Sequence, residues 1–401
     1  MRIGIEAFRI FRKNKHGMDI VAIEQIKRIQ YLDRDNLYFI FCFKDYDNFL
    51  IEETENVKII KLPQIPSPIA EQFLLPFLAI KYNLDILHST GNTSPLFVHC
   101  RRIITLHDII YLRKDINLKG GSIYQRIGNA YRRLIVPLVL PKASSIFTVS
   151  ETEKEAITKT LPELKNKISV VYNACSSNFT AKPKQSTLSS KLKYGLPNEP
   201  YFLLHGNTDP KKNTKNTLIA FHQLLTKGKL KRRIVLTDLK ATEVQKIIKQ
   251  NNLDGLDEFL ILTNYVNHED MPDLYTQAFA FLYPSIRESF GLPIIEAMSC
   301  GTPVITSNSS CMPEIAKDAA RFVDPFDPAS IAEGIEEMEF NDHIRLQFIE
   351  KGLMRSKDFS WSASTKKLIN LYRQTSLSKV KIDKENNESE YFSLGNHLKA
   401  S

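Results

Sequence analysis

The chain has 401 residues, with 54 lysines and arginines against 45 aspartates and glutamates and a net charge of +9. This length is too great for one ordinary domain and suits two, each large enough to bury its own core. No stretch approaches the roughly 20 uninterrupted apolar residues of a membrane-spanning helix, and no apolar segment with a cleavage site follows the N-terminus, so we expect neither a span nor a signal peptide.

Charge and cysteine usage narrow the choice of partners. Residues 1–180 hold 25 basic and 18 acidic residues, so most of the positive excess lies in the first half. Such a half could face an anionic membrane, a polyanion or an anionic acceptor, or it could be a solvated basic surface. The five cysteines form no CxxC pair and stand beside no spaced histidine pair. We therefore expect no metal site, and reduced thiols in a cytoplasmic protein.

Short apolar runs alternate with helical patterns through the first half of the chain. This alternation predicts an α/β domain with a parallel, doubly wound sheet covered by helices on both faces. The predicted strands are 2–6, 37–43, 57–62, 85–88, 103–107, 145–150 and 168–173, and the clearest helices are 19–32, 69–82, 122–141 and 151–160.

The alternation of apolar runs and helical patterns stops at 176–200, a polar stretch with proline, serine and lysine, and resumes after it. This composition predicts a linker at 181–200 between a first domain at 1–180 and a second α/β domain at 201–360. The predicted elements of the second half are strands 201–205, 233–237, 259–262, 278–283 and 303–306, helices 213–226 and 241–250, a helix from Pro293, helices 342–358 and 362–374, and a polar tail at 376–401.

The segment 283–305, YPSIRESFGLPIIEAMSCGTPVI, combines a strand end, a tight glycine loop and a helix N-terminus. Gly291 can adopt backbone conformations closed to other residues, and Pro293 suits a first helical position. The N–H groups and the dipole of such a helix start favour phosphate. Glu288 and Glu296 flank the turn. Because carboxylates repel a diphosphate, we interpret them as hydrogen-bond acceptors for sugar hydroxyls.

This segment resembles the signature of the family 4, or group 1, retaining glycosyltransferases, which has two glutamates separated by seven residues. The match is nearly continuous from Pro284 to Ile305. The resemblance implies that Glu288 contacts the transferred sugar near its reacting carbon and that Glu296 binds the nucleotide ribose. It also implies that backbone amides of the loop hold the distal phosphate. The loop residues that it assigns to sugar-donor binding are Ser289, Phe290, Gly291 and Leu292.

Two further stretches of the second half are similar to the same family. Residues 206–213 match its G-x-x-x-P-[RK]-K-[NG] segment, which implies that Lys212 pairs with the diphosphate and that Gly206 and Asn207 also bind the sugar donor. Many relatives carry arginine where Asn207 stands, so this chain has one positive charge fewer than they have at this position. Residues 263–274 resemble the stretch that lines the base pocket, with Tyr265 and Val266 as contacts.

The first half carries weaker matches. Gly17 stands where the family has a glycine near the phosphates and the acceptor, although the usual motif is richer in glycine. His107 belongs to TLHD, similar to the family's T-x-H-D, which implies contact with the transferred sugar or the acceptor from the carboxyl end of the sheet. We interpret Ser150 as a helix N-cap and Glu314 first as a structural loop residue.

The resemblance covers about residues 1–375 and implies a GT-B fold, with two Rossmann-like domains facing across a cleft and the helix 362–375 packed back on the first domain. It implies transfer with retention of configuration, from a GDP- or UDP-linked sugar to a glycan or lipid-linked glycan, without a metal or other cofactor. Lys212 and the helix N-terminus would stabilise the leaving diphosphate. The N-terminal half looks most like bacterial mannosyltransferases of surface-polysaccharide synthesis, which favours a cytoplasmic enzyme at the inner face of the membrane.

Alternatives remain open at this point. Another GT-B enzyme, such as an epimerase or a phosphorylase, lacks this pair of glutamates in its helix context. A basic module for nucleic acid would interleave aromatic and basic residues, and this chain shows no such pattern, so we expect no nucleic-acid partner. The stretch 119–142 places several basic residues among apolar ones, and it either lies on an anionic membrane or forms a core helix. These basic residues include Arg126, Arg132, Arg133 and Lys142.

Overall fold

A computed structural model describes residues 1–8, 10, 17–43, 51–112, 123–183 and 187–377, and the side chains of all of these except 123–125. The chain divides into two compact units. Unit 1 consists of Met1–Val149, Glu153–Val171 and the chain from Trp361, and unit 2 consists of Ser150–Thr152 and Tyr172–Ser360. The predicted tail at 376–401 lies outside the described residues from position 378 on.

Unit 1 is built on a sheet of seven parallel strands in the order β3-β2-β1-β4-β5-β6-β7. The strands are runs of branched and aromatic residues that are buried on both faces, as a helix-covered parallel sheet requires. They are β1 (Arg2–Glu6), β2 (Leu37–Phe43), β3 (Val57–Leu62), β4 (Ile86–Ser89), β5 (Arg101–Thr105), β6 (Ser145–Thr148) and β7 (Ile168–Val170).

The helices of unit 1 include one irregular element. Helix α2 (Ser67–Ile69), a π-helical turn (Ala70–Leu74) and α3 (Leu75–Lys81) follow one another where the sequence predicts a single helix. Pro76 has no N–H to donate to a carbonyl four residues earlier, which accounts for the loss of regular α-helical bonding before it. The other helical elements are α1 (Gly17–Leu32), α4 (Ile123–Val139), α5 (Glu151–Thr160), which belongs to unit 1 from Glu153 on, and a 3₁₀ turn (Pro162–Lys167).

The last described helix, at 361–377 and here called α14, completes unit 1. Its Leu368, Ile369 and Tyr372 are buried in the same apolar cluster as Ile3 of β1. The hydroxyl of Tyr372 lies 2.7 Å from Nδ1 of the buried His88. The first sheet therefore obtains part of its core from the far end of the chain.

Unit 2 repeats the design with six parallel strands in the order β10-β9-β8-β11-β12-β13. The strands are β8 (Tyr201–His205), β9 (Ile234–Thr237), β10 (Leu260–Asn264), β11 (Ala278–Tyr283), β12 (Val304–Ser307) and β13 (Ala320–Val323). The helices are α6 (Leu188–Tyr194), α7 (Thr214–Thr226), α8 (Ala241–Asn251), α9 (Met271–Gln277), α10 (Leu292–Ser299), α11 (Met312–Ala316), α12 (Pro328–Phe340) and α13 (Asp342–Ser356), with 3₁₀ turns at Pro210–Lys212, Leu256–Phe259 and Lys317–Ala319.

The predicted doubly wound, parallel α/β class is confirmed in both units, and the strand order of each is that of a Rossmann-type sheet. In such a sheet the connections leave in opposite directions from two central strands, and ligands bind beyond the carboxyl ends at that point. The two central strands are β1 and β4 in unit 1, and β8 and β11 in unit 2. A ligand site in unit 2 is therefore expected at the turns after β8 and β11.

The stretch 181–200, predicted to be a linker, holds the helix α6 and is anchored within unit 2. The carboxylate of Asp273 accepts hydrogen bonds from Lys182 Nζ and from Ser190 Oγ, both at 2.6 Å. Polar composition alone does not reveal these contacts, because the partner lies more than 80 residues further along the chain.

Candidate donor site in unit 2

The loop between β11 and α10 is held by three serine hydroxyls at the end of β12 and just after it. Ser307 Oγ donates to the carbonyl of Ser285 at 2.6 Å, and Ser309 Oγ donates to that of Ile286 at 2.8 Å. Ser310 Oγ donates to the carbonyl of Glu288 at 2.7 Å. The backbone that carries Glu288 is thus fixed by the neighbouring strand end, which is what a site with defined geometry requires.

Gly291 allows the loop to turn into helix α10. Its φ of 84° lies in the left-handed region, which favours glycine, and the residue immediately precedes the first helical position, Leu292. Phe290 is buried, and its ring packs edge-on against that of Phe359, with centroids 5.7 Å apart. Ser289 accepts a hydrogen bond on its carbonyl from Ser150 Oγ at 2.7 Å. The predicted loop residues therefore surround the N-terminus of one helix.

Lys212 and Glu288 form an ion pair, with Nζ and Oε1 2.8 Å apart. Lys212 lies in the turn after β8, and Glu288 lies in the loop after β11, so the two central strands of the sheet bring them together. Their side chains are 24% and 12% exposed, which leaves the ammonium group partly accessible to a ligand. The structure thus joins two residues that the sequence motifs name separately.

Tyr283 lies beside the ion pair of Lys212 and Glu288, and the sequence motifs assign it no role. Its hydroxyl accepts a hydrogen bond from Lys212 Nζ at 3.0 Å, and the Glu288 carboxylate lies close enough for its charge to act on the phenol. Burial and the nearby Glu288 charge raise the pKa of Tyr283 well above its usual range, so the phenol stays protonated. The only sequence signal for it is its position as the last residue of a buried strand before the loop.

Glu296 lies on the first turns of α10 and is mostly buried. Its Oε1 is 3.4 Å from Nε2 of His268. The imidazole of His268 in turn meets the ring of Phe179 edge-on, with centroids 5.0 Å apart. Glu296 therefore stands in a part-buried setting beside a polar ring, which is compatible with accepting hydrogen bonds from ribose hydroxyls.

Gly206 directly follows β8, and the packing around it explains why a glycine stands there. A Cβ there would stand 2.7 Å from the carbonyl oxygen of Thr237 on the adjacent strand. The following Asn207 receives a hydrogen bond on Oδ1 from the N–H of Asp209 at 2.8 Å, which shapes the turn that leads to Lys212. Gly206 and Asn207 therefore form the turn that positions Lys212.

Tyr265 and Val266 follow the end of β10 and differ in exposure. Tyr265 is 58% exposed and Val266 is 5% exposed. The backbone N–H of Val266 lies near the carboxylate of Asp238, whose pKa is raised by burial. An exposed aromatic ring beside a fixed backbone is suited to stacking on a planar base.

His107 and Gly17 lie in unit 1, beyond the carboxyl end of β5 and at the start of α1. Gly17 is exposed, whereas His107 is only 7% exposed. His107 Nε2 lies 3.0 Å from the carbonyl of Thr90, and the backbone N–H of His107 donates to Asn92 Oδ1 at 2.7 Å. His107 is thus held at the predicted sheet edge by the loop after β4.

Glu314 has the structural role expected of it. Its carboxylate accepts hydrogen bonds from the N–H groups of Glu151 and Thr152 at 2.7 and 2.9 Å, and from the hydroxyl of Tyr172 at 2.9 Å. All four residues belong to unit 2. With every oxygen engaged in this way, Glu314 fixes backbone rather than presenting a free carboxylate.

Comparison with known families agrees with this geometry. Residues 189–355 match the family model described as glycosyl transferases group 1, and residues 29–178 match that of glycosyltransferase family 4. Together the two matches leave only the ends of the chain and a short stretch between them. The chain belongs to the family 4, group 1 glycosyltransferases.

Several relatives within this family are bacterial. The chain is 33% identical over 237 residues to the O-antigen chain mannosyltransferase B of Escherichia coli, covering 58% of this chain and 61% of the relative. It is 29% identical over 265 residues to the O-antigen chain mannosyltransferase RfbU of Salmonella typhimurium, covering 64% of this chain and 65% of the relative. The aligned region thus spans a little under two thirds of each relative.

The fold recurs in HepE from Anabaena, whose structure was solved in complex with UDP and glucose. The TM-score is 0.67 at 17% identity, covering 93% of this chain and 100% of HepE. This likeness confirms the predicted GT-B class. Across the described ranges, no helix has the length and apolar character needed to cross a bilayer. The same part of the chain has no cluster of three or more His, Cys, Asp or Glu side chains placed to hold a metal ion.

Proposed function

We propose that this protein is a retaining glycosyltransferase that moves a sugar from a nucleoside diphosphate to a glycan or lipid-linked glycan in cell-surface polysaccharide synthesis. The observation that carries the proposal is the Lys212–Glu288 pair at the switch point of unit 2, next to the N-terminus of α10. The cation and the N–H groups of the helix start are suited to a leaving diphosphate, and the carboxylate paired with the cation is suited to a sugar.

In this proposal the transition state gains negative charge on the departing phosphate oxygen. The Lys212 ammonium and the dipole of α10 stabilise that charge, and they are already in place before the reaction. They supply the positive charge that a divalent ion supplies elsewhere, so we propose a reaction that needs no metal. Glu288 orients the sugar through its hydroxyls, and the leaving phosphate takes the proton of the acceptor on the same face.

Glu296 and Tyr265 are proposed to bind the nucleoside. The carboxylate of Glu296 accepts hydrogen bonds from the ribose, and the exposed ring of Tyr265 lies against the base, next to the fixed backbone of Val266. Both residues belong to unit 2, as do Lys212 and Glu288. One unit would therefore hold the whole nucleotide.

Mannose is the sugar that we propose first, with GDP as the carrier and UDP as the alternative. Two relatives at 33% and 29% identity are mannosyltransferases of O-antigen synthesis, and HepE, a more distant structural neighbour, was crystallised with UDP. His107, at the edge of the first sheet, is proposed to meet the transferred sugar or the acceptor. We propose a cytoplasmic location for the reaction, where nucleotide sugars are made.

The test is a panel of GDP- and UDP-linked sugars assayed for hydrolysis of the sugar donor and for transfer to oligosaccharide acceptors. We expect Glu288→Gln, which keeps the shape and removes the charge, to lose at least a hundredfold in turnover of the preferred sugar donor, while Glu333→Gln on the exposed side of α12 stays at the wild-type rate. Equal rates for Glu288→Gln and wild type would remove Glu288 from the site. Product with inverted configuration, detected by NMR, would overturn the retaining mechanism.

Contact with an anionic membrane is a second part of the proposal. Helix α4 exposes Ile127, Leu134 and Leu138 by 65%, 63% and 47%, and it carries Arg126, Arg132 and Arg133. An exposed apolar stripe with basic neighbours is suited to a bilayer surface. Flotation with liposomes that contain phosphatidylglycerol should recover the wild type and lose the Arg126, Arg132 and Arg133 charge-reversed variant. Absence of the wild type from the floated fraction would refute membrane contact.

A further inference from the structure

A cavity of about 510 Å³ lies in unit 1 around the start of β5. It is therefore at the amino ends of the strands, whereas His107 follows their carboxyl ends. Its polar lining includes Arg102, Lys142 and His99, and its apolar lining includes Phe97 and Ile80. Because β5 rises about 3.3 Å per residue, Arg102 lies roughly 10 Å before Thr105, the last residue of the strand, and His107 follows that end. The cavity is therefore not part of the sheet edge at which His107 lies.

Arg102 is unusual among the basic residues of this unit. It is only 4% exposed, and its Nε and Nη1 atoms are buried without a hydrogen-bond partner in the described part of the chain. Burial lowers the pKa of this guanidinium. A buried cation with unmade hydrogen bonds is costly, since charge leaves water without compensation. A planar fork of free N–H groups is also the group that best matches carboxylate and phosphate oxygens.

The rest of the lining reinforces the charge and adds an apolar rim. Lys142 is exposed, and its Nζ lies 4.9 Å from the ring centroid of Phe97. Phe97 and Ile80 are 77% and 67% exposed although both are large and apolar. No aspartate or glutamate is among the described residues that line the cavity. The chemistry is that of an anion site with a place beside it for an apolar chain.

We propose that this cavity binds a phosphate group, with the fork of Arg102 on the phosphate oxygens, Lys142 as the second cation and the exposed Phe97 and Ile80 against whatever apolar chain the phosphate bears. The two sources of such a group are a lipid headgroup and a small soluble phosphate. The site lies in unit 1 and does not depend on the sugar-donor chemistry proposed for unit 2.

The test uses the full chain with Lys212→Met, so that phosphate binding at the proposed donor site is removed. Calorimetry is run with inorganic phosphate and with dihexanoyl phosphatidic acid below its micelle concentration. We expect binding that falls at least tenfold in Arg102→Met. The matched control is Arg101→Met, which removes the same charge one residue earlier, where the strand side chain points to the other face. Lys142→Met, at an exposed position, gives a second variant that leaves the core intact and should weaken binding at least threefold.

Comparison of inorganic phosphate with dihexanoyl phosphatidic acid distinguishes a lipid headgroup from a soluble phosphate as the group that the cavity binds. Tighter binding of the phosphatidic acid by tenfold or more, lost in Phe97→Ala, assigns the cavity to a lipid headgroup, whereas equal affinities assign it to a soluble phosphate. No binding by the parent protein, or equal losses in Arg102→Met and Arg101→Met, overturns the proposal. Folding is checked by thermal melting, and Arg102→Met should melt at or above the parent temperature, because the buried unpaired charge is gone.

Discussion

Lys212 makes two contacts, one to Glu288 and one to the hydroxyl of Tyr283. These contacts neutralise a part-buried ammonium and hold it at one place. A diphosphate would share the same ammonium, so the three side chains act as one polar group. This arrangement gives the phenol a positioning role, since it holds the ammonium that pairs with Glu288.

The first prediction concerns Tyr283. Tyr283→Phe keeps the ring and removes the hydroxyl that accepts the hydrogen bond from Lys212, and hydrogen bonds to charged groups contribute about 1.5–3 kcal/mol. We expect the transfer rate to fall about ten- to a hundredfold, at about 1.4 kcal/mol for each factor of ten, with KM for the sugar donor changed less than kcat. Tyr201→Phe is the control, because it removes a buried hydroxyl on a strand of the same sheet, which donates to the carbonyl of Leu274 in α9. Equal rates in both variants would show that Tyr283 has no positioning role.

The second prediction concerns Glu296 and the ribose. If its carboxylate accepts a hydrogen bond from a ribose hydroxyl, Glu296→Gln weakens that interaction by removing the charge, and removal of the hydroxyl eliminates the same interaction. The preferred nucleoside diphosphate should bind about tenfold more weakly to Glu296→Gln than to wild type. The matching 2′- or 3′-deoxy nucleotide should bind both proteins equally. Fully additive losses for both deoxy nucleotides would place Glu296 away from the ribose.

At this scale the sequence predicts the identity of the charged residues better than their contacts. Glu288 and Lys212 are named by motifs, but their ion pair depends on β8 and β11 being neighbours, which no local pattern states. Tyr283 is buried and apolar in most of its surface, so it is indistinguishable from a core tyrosine. In the sequence, Ser307, Ser309 and Ser310 are indistinguishable from the residues of an ordinary polar loop, because only the structure shows which carbonyls their hydroxyls bond.

At the scale of elements, the turn after β8 depends on a close approach of two backbones. Gly206→Ala would place a Cβ 2.7 Å from the carbonyl oxygen of Thr237, and that oxygen belongs to a strand and cannot move aside cheaply. We expect the free energy of unfolding to fall by about 1–3 kcal/mol. Chemical denaturation measures it, and sugar-donor binding should weaken in the same variant because Lys212 follows this turn.

Gly128→Ala in α4 is the control for that substitution. Its added Cβ meets only the far end of the Arg132 side chain, at 3.2 Å, and alanine is the better residue inside a helix. This variant should be as stable as wild type or slightly more stable. A loss of stability in Gly128→Ala equal to that in Gly206→Ala would mean that the close approach to Thr237 is not the cause.

Strands were the most predictable elements, because apolar runs of five to seven residues in a two-faced sheet leave a strong pattern. The predicted bounds of β1, β2, β3, β8 and β11 agree with the structure. The strand β13 was missed, since it has four residues and only part of it is apolar. Helix α6 was missed because its stability depends on Asp270 and Asp273, which receive hydrogen bonds from Lys193 and Ser190.

At the scale of the whole molecule, unit 1 is closed by α14 through a buried polar contact. His88 is 1% exposed and lies between the Tyr372 hydroxyl and Thr105 Oγ1, each 2.7 Å from a ring nitrogen. Burial, with a smaller contribution from His107, lowers the pKa of His88 to about 3. The ring is therefore neutral in the folded protein across the physiological range.

This burial predicts how stability depends on pH. The unfolded chain takes up a proton on His88 at its ordinary pKa near 6.5, whereas the folded chain does not, so stability falls as pH drops below about 6.5. By pH 5 the loss from this one group is about 2 kcal/mol. Chemical denaturation at pH 7 and pH 5 measures the difference. Between pH 7 and pH 5, the free energy of unfolding of His88→Gln should fall by about 2 kcal/mol less than that of wild type. An identical fall in both proteins would contradict the assignment of this pH dependence to His88.

The central claim is that a nucleoside diphosphate is held in unit 2 by Lys212 and the start of α10 without a divalent ion. Titration calorimetry of GDP and UDP in excess EDTA tests it most directly, with wild type, Lys212→Met and the control Lys211→Met, whose side chain is about half exposed. We predict that wild type and Lys211→Met bind one of the two nucleotides equally well and that Lys212→Met binds it at least tenfold more weakly. Binding that appears only when a divalent ion is added, or equal binding by Lys212→Met, would contradict the account.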